Sequence, residues 1–201
     1  MGYFLGSIPS GYLVGKFFKG IDIRDFGSGN IGFANALRVL GLSLGLVVLI
    51  ADIGKGALAV WIGYLISPFA GINPHIGGGI SGLLSIIGHN WTIFLKFKGG
   101  KGVATTAGVF LSLTPLPFIF VVLVMIGIVG LTHYISLGSI ISACTLPLLI
   151  WFCMKDEGWF YIVLSIISAG FIVFKHRSNI KRLLKGREIK LGEKVGKRKI
   201  S

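Results

Sequence analysis

Two loops of this chain combine glycine with basic residues in patterns that can bind phosphate. In one of them, Gly99 and Gly100 precede Lys101, Gly102 follows it, and a hydrophobic segment then begins. Glycine lets backbone N–H groups approach a ligand closely, and such groups at the start of a helix bind anions. The loop lacks the Gly-Lys-Ser/Thr ending of a nucleotide P-loop. On its own, it indicates an anion site and a plain glycine-rich turn with an anchoring lysine equally well.

The other loop follows the first hydrophobic segment and adds amide and hydroxyl groups to its arginines. Arg24 and Arg38 offer planar guanidinium groups that match phosphate oxygens, while Ser28, Asn30 and Asn35 can add directional hydrogen bonds. The simpler interpretation is a loop that its positive charge keeps on the cytoplasmic side. The combination of side chains favours a phosphate or polar-headgroup site.

Four other ionisable residues lie in or beside hydrophobic stretches. His89 and His176 adjoin motif residues, although a lone histidine is more often structural than catalytic. Asp52 and Lys55, three residues apart, would share one helix face, where they indicate either a function or a mutually neutralising pair. The sequence favours neither alternative. It contains no Cys/His cluster with metal-ligand spacing, so we expect no metal site, and we expect no serine nucleophile elbow either.

Membrane helices are the elements that must position these residues. The 201 residues are 53% hydrophobic and 13% charged, with a mean hydropathy of +0.84, whereas soluble domains average roughly 25% charged residues. Long uncharged runs at 42–51, 103–132 and 135–154 predict an all-α, polytopic membrane protein that forms a single domain over 1–201. Close helix packing is predicted at four glycine pairs with small-xxx-small spacing, namely Gly2/Gly6, Gly11/Gly15, Gly41/Gly45 and Gly78/Gly82.

The distribution of charge predicts seven crossings. If residues 103–131 formed one helix, the chain would cross six times and the basic tail would lie opposite the basic loops, against the positive-inside rule. A break at Thr114-Pro115 restores seven crossings, with the N-terminus outside and the C-terminus cytoplasmic. The predicted helices cover about 1–18 with a kink at Ile8-Pro9, 41–66 with an interruption at 52–56, 76–95, 103–113, 115–131, 138–153 and 159–174.

In this topology every polar motif faces the cytoplasm. Besides the two loops, these motifs are the 132–139 turn with Ser139 and the segment from His176 to Asn179. The basic tail at 175–201 holds eleven Lys/Arg and two Glu, a net charge of +9. Because the tail directly follows a membrane segment, its expected partner is the anionic surface of the lipid bilayer and not nucleic acid.

Taken together, these motifs resemble those of the bacterial acyl-phosphate:glycerol-3-phosphate acyltransferase family (PlsY). The resemblance covers nearly the whole chain, with one small departure at Phe33-Ala34, where a smaller or hydroxyl pair is expected. The motifs that carry it are Gly6-Ser7-Ile8-Pro9-Ser10-Gly11, Gly27-Ser28-Gly29-Asn30-x-Gly32-x-x-Asn35-x-x-Arg38-x-x-Gly41, Asp52-x-x-Lys55-Gly56, Gly88-His89-x5-Leu95-x-Phe97-Lys98-Gly99-Gly100-Lys101-Gly102 and His176-x-x-Asn179-Ile180-x-Arg182.

The resemblance implies a membrane enzyme of phospholipid synthesis. Such an enzyme transfers a fatty acyl group from acyl phosphate to the sn-1 hydroxyl of glycerol 3-phosphate, giving lysophosphatidic acid and phosphate. It would lie in the bacterial inner membrane with its active site on the cytoplasmic face, need no cofactor, and contact the enzyme that produces acyl phosphate. The implied catalytic residues are Lys101, Ser28, Arg38 and His89, and the implied substrate-binding residues are Arg24, Asn30, Asn35, Gly99, Gly100, Gly102, Ser139, His176 and Asn179.

The sequence also bears on the mechanism and on the alternatives. None of its histidines starts a His-x4-Asp dyad, which argues against the thioester-dependent acyltransferases and favours a substrate-assisted reaction. A transporter or channel for a phosphorylated metabolite is the main alternative, since basic loops would suit it too. A lipid-binding scaffold without chemistry is the third. A transporter would more often show internal repeats and polar groups at the midplane, and no internal repeat is seen here.

Overall fold

The structure is a computed structural model that describes residues 1–155 and 158–193. These residues form α-helices joined by short turns, and they contain no β-strand. The helices are α1 (Gly2–Ser7), α2 (Ser10–Lys19), α3 (Phe33–Leu40), α4 (Leu42–Ile66), α5 (Pro74–Asn90), α6 (Val103–Leu113), α7 (Pro115–Thr132), α8 (Ile135–Met154), α9 (Trp159–Lys175) and α10 (Arg177–Leu184), with single 3₁₀ turns at Ile23–Asp25, Ser67–Ala70 and Ile93–Leu95.

Two proline breaks confirm the division of the chain that the sequence predicted. The first helical stretch is interrupted at Ile8-Pro9, where α1 gives way to α2. The second break lies at Thr114, which ends α6, and Pro115 opens α7 at a position where its missing N–H costs nothing.

Two other features of the helices differ from the prediction. The expected interruption of the second long helix at residues 52–56 is wrong, because α4 runs unbroken through Asp52 and Lys55, which neutralise each other on one helix face. The predicted third helix over 76–95 is shorter in the structure, since α5 ends at Asn90 and only a 3₁₀ turn follows at Ile93–Leu95. The contact of the basic tail with lipid stays a prediction, and its first part forms α10.

Three helical segments are long and apolar enough to cross a membrane, namely Leu42–Ala70, Pro115–Thr132 and Ile135–Met154. A fourth crossing results if α9 and α10, bent by 60°, are taken as one broken span. Both counts of candidate membrane-spanning segments refer to the described residues only. The all-α fold is therefore confirmed, whereas seven crossings and an outside N-terminus stay predictions.

The N-terminal helices pack against each other through glycine. A Cβ atom at Gly6 would collide with the backbone of Ser85 on α5, and one at Gly88 would collide with the carbonyl oxygen of Tyr3 on α1. The close packing predicted for Gly2 and Gly6 is thereby confirmed. The prediction is wrong for Gly41, which ends α3 at φ +87° with open space around its Cβ position.

Two hydrophobic clusters support the ends of these helices. The larger one joins α4, α5, α6, α7, α8 and α9 around fully buried Ile86, Phe110 and Ile150. The smaller one lies beneath the 20–41 loop and includes Ile23 and Val48, neither of which is exposed. This second cluster fixes the polar loop to α4, so its side chains are held close to the helix bundle.

Candidate active site

A cavity of about 450 Å³ brings most of the predicted site residues together. It lies between α3, α4, the end of α5, α6, α7, α8 and the segment that follows α9. Three of the predicted residues, Arg24, Gly99 and Gly100, do not line it. Those that do are Ser28, Asn30, Asn35, Arg38, His89, Lys101, Gly102, Ser139, His176 and Asn179.

The glycine loop is shaped by its contact with His89. The backbone N–H of Gly100 donates to the carbonyl oxygen of His89 over 2.9 Å, and a Cβ atom at Gly100 would collide with the ring nitrogen Nε2. Gly102 takes a left-handed φ of +83° immediately before α6 begins. Gly99 and Gly100 therefore shape the wall of the cavity from behind, while Lys101 reaches into it.

Lys101 is the most enclosed cation of the cavity outside the membrane helices. Its Nζ donates to Oδ1 of Asn179 over 2.5 Å. The pKa of this ammonium group is lowered to about 8, mainly by burial; the negative charge of Glu188 raises it, and the positive charges of Arg182 and Arg38 lower it. An incoming phosphate would supply the missing negative charge.

Glu188 is a site residue that the sequence did not single out. Its carboxylate accepts hydrogen bonds from Ser136 at 2.8 Å, Asn179 at 2.6 Å and Arg182 at 2.7 Å. Burial alone would raise the pKa of this carboxyl, but these three donors outweigh burial and lower it. The available signal was that Glu188 is one of only two acidic residues in the basic stretch after α9. Through Glu188 the tail becomes part of the cavity wall.

Arg38 links the second predicted loop to the same tail segment. Its Nη2 donates to the carbonyl oxygen of Ile189 over 3.1 Å, and Nε has no hydrogen-bond partner within the described residues. Burial lowers the pKa of the guanidinium group. An anion in the cavity would satisfy both its charge and its remaining donor.

The loop around Asn35 is held together by that side chain. The amide nitrogen of Asn35 donates to the carbonyl oxygens of Asn30 at 2.8 Å and Phe26 at 3.2 Å, and its oxygen accepts from the N–H of Ser28 at 2.8 Å. The side-chain amide of Asn35 therefore makes its hydrogen bonds within the loop. Arg24 lies away from the cavity, where it forms an ion pair with Asp22 at 2.6 Å.

The two motif histidines have different partners. His176 uses Nδ1 to donate to the carbonyl oxygen of Ile172 over 2.8 Å. His89 places Nδ1 3.6 Å from Oδ1 of Asp52, whose carboxylate also lies 2.8 Å from the Lys55 ammonium. Asp52 lies on α4 and His89 on α5, so no short spacing along the chain reveals this pair.

The rest of the cavity wall is mostly apolar. Thr106 and Ser142 lie in its wall with hydroxyl oxygens that have no hydrogen-bond partner within the described residues. The apolar part is formed by α6, α7 and α8 with the side chains of Phe110, Phe118, Val121, Val122, Met125 and Leu146. One end of the cavity therefore suits phosphate, and the other suits a hydrocarbon chain. No group of three His, Cys, Asp or Glu side chains arranged for a metal ion occurs in residues 1–155 or 158–193.

Comparison with known proteins gives the same result over nearly the full length. The glycerol-3-phosphate acyltransferase family model matches residues 1–186. The chain is 44% identical to glycerol-3-phosphate acyltransferase 2 of Moorella thermoacetica over 196 residues, which cover 96% of this chain and 95% of the relative. It is also 44% identical to the glycerol-3-phosphate acyltransferase of Fusobacterium nucleatum, with 94% of this chain and 93% of the relative covered.

Two solved structures share the fold. Both are crystal structures of PlsY (YgiH), an integral membrane glycerol 3-phosphate acyltransferase, one in the glycerol 3-phosphate form and one in the lysophosphatidic acid form. The first is 36% identical to this chain with a TM-score of 0.85, and it covers 95% of this chain and 92% of its own. The second is 35% identical with a TM-score of 0.83 and the same coverage. This chain therefore belongs to the glycerol-3-phosphate acyltransferase family and is an integral membrane protein.

Proposed function

We propose that this protein transfers a fatty acyl group from acyl phosphate to the sn-1 hydroxyl of glycerol 3-phosphate. The products are lysophosphatidic acid and inorganic phosphate, the first step of phospholipid synthesis. One observation carries the proposal: a single cavity is lined by the partly buried cations Lys101 and Arg38 and by a set of apolar side chains. Both substrates and the lipid product fit that division, because each carries phosphate and two of the three carry an acyl chain.

Phosphate is held by the cations that the cavity concentrates. Lys101 faces it from the glycine loop and Arg38 from α3, and Asn179 and Ser28 add hydrogen bonds. Hydrogen bonds to charged groups contribute roughly 1.5–3 kcal/mol, so these contacts account for selective binding of phosphorylated substrates. Gly102 brings the start of α6 and its free N–H groups to the same wall. Asn30, Ser139 and His176 complete the substrate contacts.

The reaction follows from the positions of these groups. The sn-1 hydroxyl oxygen attacks the acyl carbonyl carbon, a C–O bond forms, and the bond from that carbon to the phosphate oxygen breaks. The hydroxyl proton passes to a substrate phosphate oxygen, whose second pKa of about 6 makes it a competent acceptor. Lys101 and Arg38 stabilise the charge on the departing phosphate. His89 and His176 orient the substrates and are not the indispensable base.

The bacterial inner membrane is the proposed location, with the cavity on the cytoplasmic face. The support is the positive-inside rule, since the segments that meet at the cavity hold most of the basic residues. In a background from which Cys144 and Cys153 have been removed, a cysteine placed at Ser28 would react with a membrane-impermeant reagent from the cytoplasmic side, and one at Gly158 from the outside. Reaction of both from one side would contradict the seven-crossing topology. A single domain over 1–201 and a contact with the enzyme that supplies acyl phosphate belong to the same proposal.

The proposed function can be tested by comparing two acyl donors. Purified protein is incubated with glycerol 3-phosphate and either palmitoyl phosphate or palmitoyl-CoA, and lysophosphatidic acid is measured. We expect product from the acyl phosphate alone. Product from the thioester alone would contradict the proposal, and no product from either donor would favour a transporter or a scaffold.

A further inference from the structure

Asp52, Lys55 and His89 form a buried cluster beside the cavity. The exposed fractions of the three residues are 1%, 7% and 3%. The ammonium group of Lys55 lies 2.8 Å from Oδ1 of Asp52, and Nδ1 of His89 lies 3.6 Å from the same oxygen. Asp52 and His89 line the cavity, whereas Lys55 lies behind them. Burying charged groups is costly, so the cluster calls for a role.

Lys55 fixes the position of Asp52. Its Nζ also donates to the carbonyl oxygen of Ile8 over 2.8 Å, at the break between α1 and α2. That carbonyl accepts from the N–H of Ser10 at 3.1 Å as well, so the break itself is held. With Lys55 bound to both acceptors, the carboxylate of Asp52 is directed at the ring of His89.

The carboxylate determines which nitrogen of His89 carries the proton. Nδ1 has no hydrogen-bond partner within the described residues, and it faces Asp52. A proton on Nδ1 gives an attractive contact, whereas a bare Nδ1 would oppose its lone pair to a carboxylate in a buried site. Since Lys55 already balances Asp52, a neutral ring leaves the cluster without net charge. The other nitrogen, Nε2, lies beside Gly100 and then presents a lone pair.

We propose that Asp52 and Lys55 are positioning residues that hold His89 with its proton on Nδ1, so that Nε2 accepts a hydrogen bond from the 2-hydroxyl of glycerol 3-phosphate. The inference rests on the proposed function, in which the sn-1 hydroxyl gives its proton to a phosphate oxygen. The hydroxyl that remains free to donate to Nε2 is then the one on the neighbouring carbon. A neutral Nε2 with a lone pair cannot donate to phosphate, so His89 recognises the glycerol part of the acceptor.

The test compares two acceptors, glycerol 3-phosphate and 3-hydroxypropyl phosphate, which lacks the 2-hydroxyl. Each is assayed with palmitoyl phosphate, and the ratio of the two kcat/KM values is measured. Because the ratio is taken within one preparation, a partly folded fraction cancels. Two variants are compared with the wild type. The double variant Asp52→Leu/Lys55→Met removes the carboxylate that faces His89 without leaving an unpaired buried charge. The second variant is His89→Ala. Asp52→Asn combined with Lys55→Met, which keeps an oxygen acceptor and also leaves no unpaired buried charge, is the rescue variant.

We expect the wild type to prefer glycerol 3-phosphate by about tenfold or more, the worth of one buried hydrogen bond. The double variant Asp52→Leu/Lys55→Met and His89→Ala lose that preference to within about twofold, and Asp52→Asn combined with Lys55→Met retains part of it. Equal losses on both acceptors in Asp52→Leu/Lys55→Met would reduce the cluster to a structural role and overturn the inference. A wild type that is active without any preference would also overturn it. A wild type that acylates neither acceptor would refute the proposed function itself.

Discussion

Helices α5 and α7 border the same cavity but are packed in opposite ways. Within α5, Gly79, Gly82 and Gly88 lie so close to neighbouring helices that a Cβ at any of them would meet another atom within 3.0 Å. Within α7, Gly127 and Gly130 have nothing within 4 Å of their Cβ positions. All of α7 is described, and Pro117 and Val121 are its only buried residues.

The difference matches what each helix contributes to the cavity. Helix α5 carries His89 in its last turn. The ring of His89 must stay in place if it is to orient a substrate, and a displacement of about 1 Å can cost roughly hundredfold in rate. Helix α7 contributes Phe118, Val121 and Val122, which meet the cavity with apolar side chains only. Contacts of that kind adjust to ligands of different length. We infer that α5 is a fixed wall and α7 an adjustable one.

Adding one methyl group to each wall is expected to give the largest contrast. In Gly88→Ala the new Cβ collides with Tyr3 and Ser7 of α1, so α5 shifts and kcat/KM falls by about hundredfold. In the matched variant Gly127→Ala the methyl group enters open space, and kcat/KM stays within about twofold. Steady-state assays and thermal unfolding in detergent measure both. Equal losses in the two variants would remove the distinction between the walls.

Removing the positive charge of Lys101 is expected to have the next largest effect. Lys101→Ala deletes a charge-assisted contact to phosphate worth roughly 1.5–3 kcal/mol, which predicts a loss of about tenfold to hundredfold in kcat/KM. Lys98→Ala is the matched control, because Lys98 is an exposed lysine of the same loop and does not line the cavity. Wild-type kinetics in folded Lys101→Ala would remove the glycine loop from the site.

The lowered pKa of Lys101 predicts a pH dependence. The charged form binds phosphate, and burial brings the pKa in the free enzyme from 10.5 down to about 8. As pH rises through that value the charge is lost, so kcat/KM falls by about tenfold for each further pH unit. Lys101→Arg keeps its charge to much higher pH, and its profile should stay level between pH 8 and 10. A common decline in both proteins would assign the titration to another group.

Changes in the apolar part of α7 are expected to be smallest and to alter selectivity. Phe118→Ala enlarges the arm of the cavity, so relative rates with longer acyl phosphates should rise by a few fold, since one buried CH₂ contributes about 0.8 kcal/mol. Phe120→Ala is the matched control, because Phe120 is exposed on the same helix and does not line the cavity. Rates with C12 to C18 acyl phosphates measure the shift. A shift in both variants, or in neither, would contradict an adjustable wall.

The amino-acid types along the chain were sufficient to predict the fold class and much of the candidate site. Uncharged runs predicted the membrane helices, and Pro9 and Pro115 predicted their breaks. Both signals are local, because the hydrophobicity of a segment and the missing backbone N–H of proline do not depend on distant residues. Lys101 and Arg38 were visible for the same reason, since glycine and basic residues at short spacing indicate an anion site without knowledge of their neighbours.

Pairing across elements was decided by helix packing. Arg38 meets the tail over 151 residues of sequence and Ser136 meets Glu188 over 52, distances at which the sequence pattern carries no information on contact. Asp52 faces His89 because glycine brings α4, α5 and α6 within backbone contact, and neither spacing nor charge reveals such a pair. The residue types of the candidate site could therefore be identified from the sequence, while their partners follow from the close approach of helices that are distant in sequence.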